Sequence, residues 1–138
     1  MPAKALKTVL IVDDERDLVE PLALRLAADG RFEVSTAFDG EDGLRKAADL
    51  RPDAALVDLA MPGIDGWRLC RRLHEDSRTR HTRVIIMTAW VSKDLESRAL
   101  AEGVTKVLLK PFEDAELLET LTAEQAAATP AGEGGAAP

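Results

Sequence analysis

Residues 53–66 read D-A-A-L-V-D-L-A-M-P-G-I-D-G, and they place one carboxylate where an apolar strand runs out. Ala54, Ala55, Leu56 and Val57 form a nearly uninterrupted apolar run. In a chain that also carries helical patterns, such a run describes a strand buried on both faces. Asp58 ends it. Met61, Pro62 and Gly63 continue neither strand nor helix, and Asp65 stands where it can cap the helix that follows. Ligands gather at the carboxyl ends of the strands in open parallel sheets, which makes Asp58 the candidate reactive group.

The same arrangement recurs on either side. Upstream, residues 8–12 (T-V-L-I-V) are β-branched and apolar, and Asp13-Asp14-Glu15 stops them. Leu18, Leu22 and Leu26, with Val19 and Ala23 beside them, recur at helical spacing up to Gly30. Pro21 falls inside that helix, removes a backbone donor and predicts a bend. Residues 32–37 read as a second strand. Asp39 then caps a helix carrying Leu44, Ala47 and Ala48, which Gly43 weakens by roughly 1 kcal/mol relative to alanine.

Downstream, a helix over 65–76 turns Leu69 and Leu73 inward, and residues 83–88 (R-V-I-I-M-T) are a fourth apolar strand. Ser92 is expected to cap a helix through Leu95, Ala99 and Leu100 that stops at Gly103. Residues 107–109 make a fifth short strand ending at Lys110-Pro111. The last helix is expected to begin near Phe112, with Glu113, Asp114 and Glu116 at the positive end of its dipole and Leu117, Leu118 and Leu121 as its packing face. Strand and helix thus alternate five times with short connections. That pattern predicts an α/β fold, a parallel sheet covered by helices on both faces. The domain is expected to span 1–125, with 126–138 (A-A-A-T-P-A-G-E-G-G-A-A-P) a tail or truncated linker unable to build a core.

Composition narrows the function classes. The 138 residues carry a formal net charge of -7, which argues against a phosphate-backbone footprint and hence against direct nucleic-acid binding. Aromatics are 4% with no Tyr, so the core is expected to be aliphatic. Cys70 is the single cysteine, which excludes an internal disulfide and predicts a small packed side chain. The apolar run after Lys4 and Lys7 is cut by Asp13 and Asp14, so it makes no secretory signal. The longest apolar stretch, 84–91, is far below membrane-spanning length; no membrane partner and a cytoplasmic location are expected. His74 and His81 read as exposed polar residues, and neither a P-loop nor a dinucleotide, serine-hydrolase or metalloprotease motif occurs.

Four strand ends bring Asp13 and Asp14, Asp58, Thr88 and Lys110 to one edge. Three converging carboxylates repel, and a divalent cation removes that conflict. Magnesium is the hard, oxygen-seeking candidate, commonly completed by water and a phosphate oxygen. A carboxylate is an adequate nucleophile toward an activated phosphoryl donor, and a fixed lysine offsets charge on the transferring group.

These residues resemble the receiver domain of bacterial two-component response regulators. The resemblance runs over about 7–123 and rests on V-D-D-E at Asp13-Asp14, D-L-A-M-P-G-I-D-G at Asp58, M-T-A at Thr88-Ala89 and K-P-F at Lys110, in that order. It implies a flavodoxin-like (βα)5 fold with strand order 2-1-3-4-5 and a cis Lys110-Pro111 peptide. It implies that Asp58 takes a phosphoryl group from a sensor histidine kinase or phosphotransfer protein, or from a small acyl phosphate, with Asp13, Asp14, Asp58 and the Ala60 carbonyl around magnesium. Thr88 and Lys110 would hold the product.

Phosphorylation would then change the surface of the fourth helix, fifth strand and fifth helix to control an output partner, with a phosphorylation-dependent dimer left open. No turnover enzyme is implied. The positions that tune such a switch are Ala60, Ala89, Trp90 and Val107. Val107 stands where the family commonly has an inward-turning aromatic, so coupling is expected through Thr88 and the loop after it. Neither Ala60 nor Trp90 can orient a water as a carboxylate or amide does, which predicts slow self-dephosphorylation. The alternatives are a magnesium-dependent phosphatase acting through an aspartyl phosphate, although V-D-D-E lacks its D-x-D pattern, and a receiver-like interaction module indifferent to phosphate.

Overall fold

The computed structural model describes residues 7–61 and 63–123. Pro62 and the expected tail at 126–138 lie outside the described residues. In chain order the elements are β1 (Lys7–Val12), α1 (Arg16–Ala28), β2 (Phe32–Ala37), α2 (Gly40–Leu50), β3 (Ala54–Asp58), α3 (Gly66–Glu75), β4 (Arg83–Thr88), α4 (Leu95–Ala101), β5 (Lys106–Leu109) and α5 (Asp114–Thr122). The sheet order is β2-β1-β3-β4-β5, and every pairing is parallel. This is the flavodoxin-like arrangement expected. β3 is central, pairing Ile11 with Leu56 on one side and Leu56 with Ile85 on the other.

Because side chains alternate across a strand, each strand feeds two cores. Leu10, Val12, Ala55, Val57, Val84 and Ile86 meet α2, α3 and α4 through Ala47, Leu69, Cys70, Leu73 and Ala99. Val9, Ile11, Leu56, Ile85, Met87 and Leu108 meet α1 and α5 through Val19, Leu22, Leu26, Leu117 and Leu121. Every residue of β3 is buried, as a strand covered on both faces requires.

Capping explains two helix starts. Asp39 accepts from the Asp42 amide and Asp65 from the Arg68 amide, each satisfying an orphan donor of the first turn. Gly43 has a packing reason: a β-carbon there would sit 3.0 Å from both methyls of Val12, so the residue that weakens α2 lets it approach β1.

Several expected details differ. Ser92 does not cap α4; the helix begins at Leu95 behind Asp94, which makes no side-chain cap. Leu100 points to solvent at 78% exposure, because Leu95 and Ala99, four residues apart, define the buried stripe of this short helix. Leu18 is likewise 41% exposed, since Val19, Leu22 and Leu26 form the inner face of α1. The fifth helix begins at Asp114, two residues after Phe112. His74 is only partly exposed, its ring set against Gly103.

Candidate functional site

Asp13 follows the last residue of β1, Asp58 ends β3, Thr88 ends β4 and Lys110 follows β5, so the strand register sets all four at one edge. Asp13 is fully buried and Asp58 is 6% exposed, whereas Asp14 faces solvent. Ligand atoms of Asp13, Asp14 and Asp58 all lie within 4.8 Å of one another. The Lys110 ammonium donates to Asp13 Oδ2 at 2.7 Å and lies 3.6 Å from Asp58 Oδ1 and 3.4 Å from Glu15 Oε1. The Glu15 amide in turn donates to Asp13 Oδ1 at 3.0 Å.

The electrostatics follow from this crowding. Burial pushes the Asp58 carboxyl up to about 6, and the neighbouring charges of Asp13 and Asp14 push the same way. Lys110 and the Ala60 amide act against them. For Lys110 itself, burial pulls the ammonium down, but its bond to Asp13 and the charges of Asp13, Asp58 and Glu15 outweigh it and leave the group raised.

The remaining expected residues are placed as follows. Thr88 is buried at the edge, and its Oγ1 accepts from the Trp90 amide at 3.1 Å. That bond turns the hydroxyl into the following loop. Trp90 is 76% exposed. Ala60 and Ala89 are exposed and Val107 is half-buried against the core. The Lys110-Pro111 peptide is cis, as expected.

Two contributors were missed at the sequence level. Glu15, read only as part of the strand stop, supplies a third carboxylate to Lys110; its signal was the unbroken D-D-E run. Gly66, given no role of its own in the sequence, lets α3 begin against the strand end. A β-carbon there would lie 2.5 Å from the Asp58 carbonyl oxygen and 2.6 Å from the Leu59 α-carbon.

As a donor set, three carboxylates with no nitrogen or sulfur ligand suit a hard divalent cation such as magnesium. The strain the acids place on one another, which a single lysine only partly offsets, agrees with that fit. An open cleft of about 590 Å³ lined by Asp14, Glu15, Arg16, Asp17 and Leu18 lies beside the exposed member of the cluster.

The family model of the response regulator receiver domain matches residues 9–122, nearly the whole described chain. The chain belongs to the response regulator receiver domain family. It is 41% identical over 106 residues to response regulator PleD of Caulobacter vibrioides, covering 77% of this chain and 23% of that protein. With the transcriptional regulatory protein PrrA of Mycobacterium leprae it shares 38% over 115 residues, covering 83% and 48%. The receiver domain thus spans about a quarter to a half of these curated relatives.

Among solved structures, chemotaxis protein CheY4 of Vibrio cholerae superposes with a TM-score of 0.79 at 32% identity, covering 85% of this chain and 97% of that one. The signal receiver domain of the response regulator NarL from Mycobacterium tuberculosis gives 0.79 at 27%, covering 86% and 94%. Receiver domains are signalling domains that interact with histidine kinases and output domains. Among the described residues, no helix is long and apolar enough to cross a membrane.

Proposed function

We propose that this receiver domain is a phosphorylation switch in which Asp58 accepts a phosphoryl group from the phosphohistidine of a sensor kinase or phosphotransfer protein. The observation that carries the reading is the convergence of Asp13, Asp14, Asp58 and Lys110 at one sheet edge.

Asp13, Asp14 and Asp58, with the Ala60 carbonyl, would hold magnesium. When bound, that ion supplies positive charge against the phosphoryl oxygens. Asp58 attacks phosphorus; the new P–O bond forms as the P–N bond of the donor breaks, and the imidazole leaves with that electron pair and takes a proton. Asp58 is suited to this as a carboxylate nucleophile at the sheet edge, and the acyl phosphate it forms carries more negative charge than the carboxylate, which Lys110 beside it offsets. Lys110, already between Asp13 and Asp58, moves to the phosphoryl oxygen. Thr88 leaves the Trp90 amide to donate to another, and that departure pulls on the loop leading to α4.

With Val107 in place of an aromatic, the signal reaches the surface of α4, β5 and α5 through this loop. An output partner or a second copy of the chain reads that surface. Incubation with acetyl phosphate and magnesium, followed by intact mass measurement, is expected to give one stable phosphate adduct that Asp58→Asn abolishes. Catalytic release of phosphate would instead identify a phosphatase, and absence of labelling a module indifferent to phosphate.

A further inference from the structure

α4 is weakly held by its apolar face. Its seven residues bury only Leu95 and Ala99, its N-cap makes no side-chain bond, and Leu100 faces solvent. What ties it down is a row of contacts from α3. Trp67, Arg71 and Trp67's next-but-one turn neighbour His74 are spaced i, i+4 and i+7, and so lie on one face of α3. Each meets a successive position on α4 or its C-terminal turn. The Arg98 guanidinium lies 4.6 Å from the centroid of the Trp67 ring. Arg71 donates twice to Glu102, at 2.6 Å and 3.3 Å. The His74 ring rests against Gly103, where a β-carbon would come within 2.5 Å of it.

The two helices are not equally free. α3 is fixed by buried Leu69, Cys70 and Leu73 and by the seat of Gly66 against the Asp58 carbonyl. α4 follows the loop that Thr88 controls. Any pull on that loop must therefore slide α4 along α3. A cation over a ring and an ion pair at the surface break and reform more readily than packed apolar side chains.

We propose that the Trp67–Arg98, Arg71–Glu102 and His74–Gly103 contacts form a latch that holds α4 in its unphosphorylated position, so that releasing the latch favours the phosphorylated arrangement. The latch rests on Asp58 being the phosphoacceptor. Arg71 and Glu102 are positioning residues, since neither reaches the site.

The experiment measures two things: the affinity for beryllofluoride with magnesium, by calorimetry, and amide exchange in α4 without it. Arg71→Glu sets two carboxylates against each other, Glu102→Arg sets two guanidiniums, and the double exchange restores opposite charges. Each single variant is expected to exchange faster in α4 and to bind beryllofluoride more tightly, by about three- to tenfold, the scale of one exposed ion pair with its cation–π neighbour. The double exchange is expected to return both readouts toward the starting protein. Single variants that match the starting protein in affinity, or a double exchange that fails to restore it, overturn the latch alone. A starting protein that ignores beryllofluoride overturns the phosphoacceptor reading, and the latch with it.

Discussion

Asp58 is asked to stay charged where charge is disfavoured, and that sets how stability responds to pH. Its carboxyl titrates near 6 in the fold against 3.8 when exposed, with burial the first cause. Between those values the folded chain holds a proton that the unfolded chain has lost. Without metal, this group therefore costs stability at neutral pH, and the cost disappears as pH falls through 6 toward 3.8. Asp58→Asn is expected to stabilise the metal-free protein by about 1–3 kcal/mol at about pH 7.5, and by much less at about pH 4. Thermal melts of both proteins across that range check it. Asp76, drawn down to about 2 by its Arg78 bonds, works in the opposite sense, but only at lower pH and equally in both proteins. A second residue-scale expectation concerns the product. Ala60 is exposed beside Asp58 and offers no group to orient water, while the exposed ring of Trp90 leaves Ala60 as the better site to alter. Ala60→Asn is expected to speed decay of phosphorylated protein by about tenfold or more, by positioning water for attack. An unchanged half-life in a phosphate-release time course would remove Ala60 from the account.

At the scale of elements, the site depends on how closely α3 can approach β3. Gly66→Ala drives a methyl into backbone, into the Asp58 carbonyl and the Leu59 α-carbon, which cannot rotate aside as a side chain can. A loss of about 1–3 kcal/mol in denaturant melts is expected, together with weaker beryllofluoride binding, because the displaced strand end carries the phosphoacceptor. Gly66 was not legible as a close contact in the sequence, since nothing in G-W-R-L-C tells a required glycine from a tolerated one. The strands were far more legible. β3 and β4 begin and end close to where the apolar runs do, because a strand buried on both faces needs its residues apolar until the edge. Asp39 and Asp65 were readable as caps for a local reason: each side chain satisfies an amide three residues on. α4 was misread for the converse reason. In seven residues with no side-chain cap, periodicity cannot say whether Leu100 or Ala99 turns inward, and only packing on the sheet decides. The acids at the edge were legible individually. That Glu15 joins Lys110, and that Thr88 is bonded to the Trp90 amide, are matters of loop geometry with no pattern to show them.

For the molecule as a whole, the parallel sheet divides labour between its two edges. The carboxyl edge carries the crowded charges, and the amino edge is knitted by hydrogen bonds between side chains and backbone. There, Asp53 accepts from the Thr8 amide and hydroxyl, Thr82 donates to the Pro52 carbonyl, and Arg83 donates to the Thr120 carbonyl in the last turn of α5. Leu121 closes this end from α5, buried to 2% exposure and sharing a small cavity with Thr8, Phe32 and Ala54. It touches nothing at the site. Leu121→Ala removes most of a side chain buried against the sheet with Val9, Phe32 and Ala54. A loss of about 2–5 kcal/mol is expected. Since both cores share one sheet, that loss should appear in a single cooperative transition and not as separate melting of α5. Beryllofluoride affinity, measured where the variant remains folded, should stay unchanged, because ligand and mutation sit at opposite strand ends. A large change in affinity would mean that the amino edge is part of the switch.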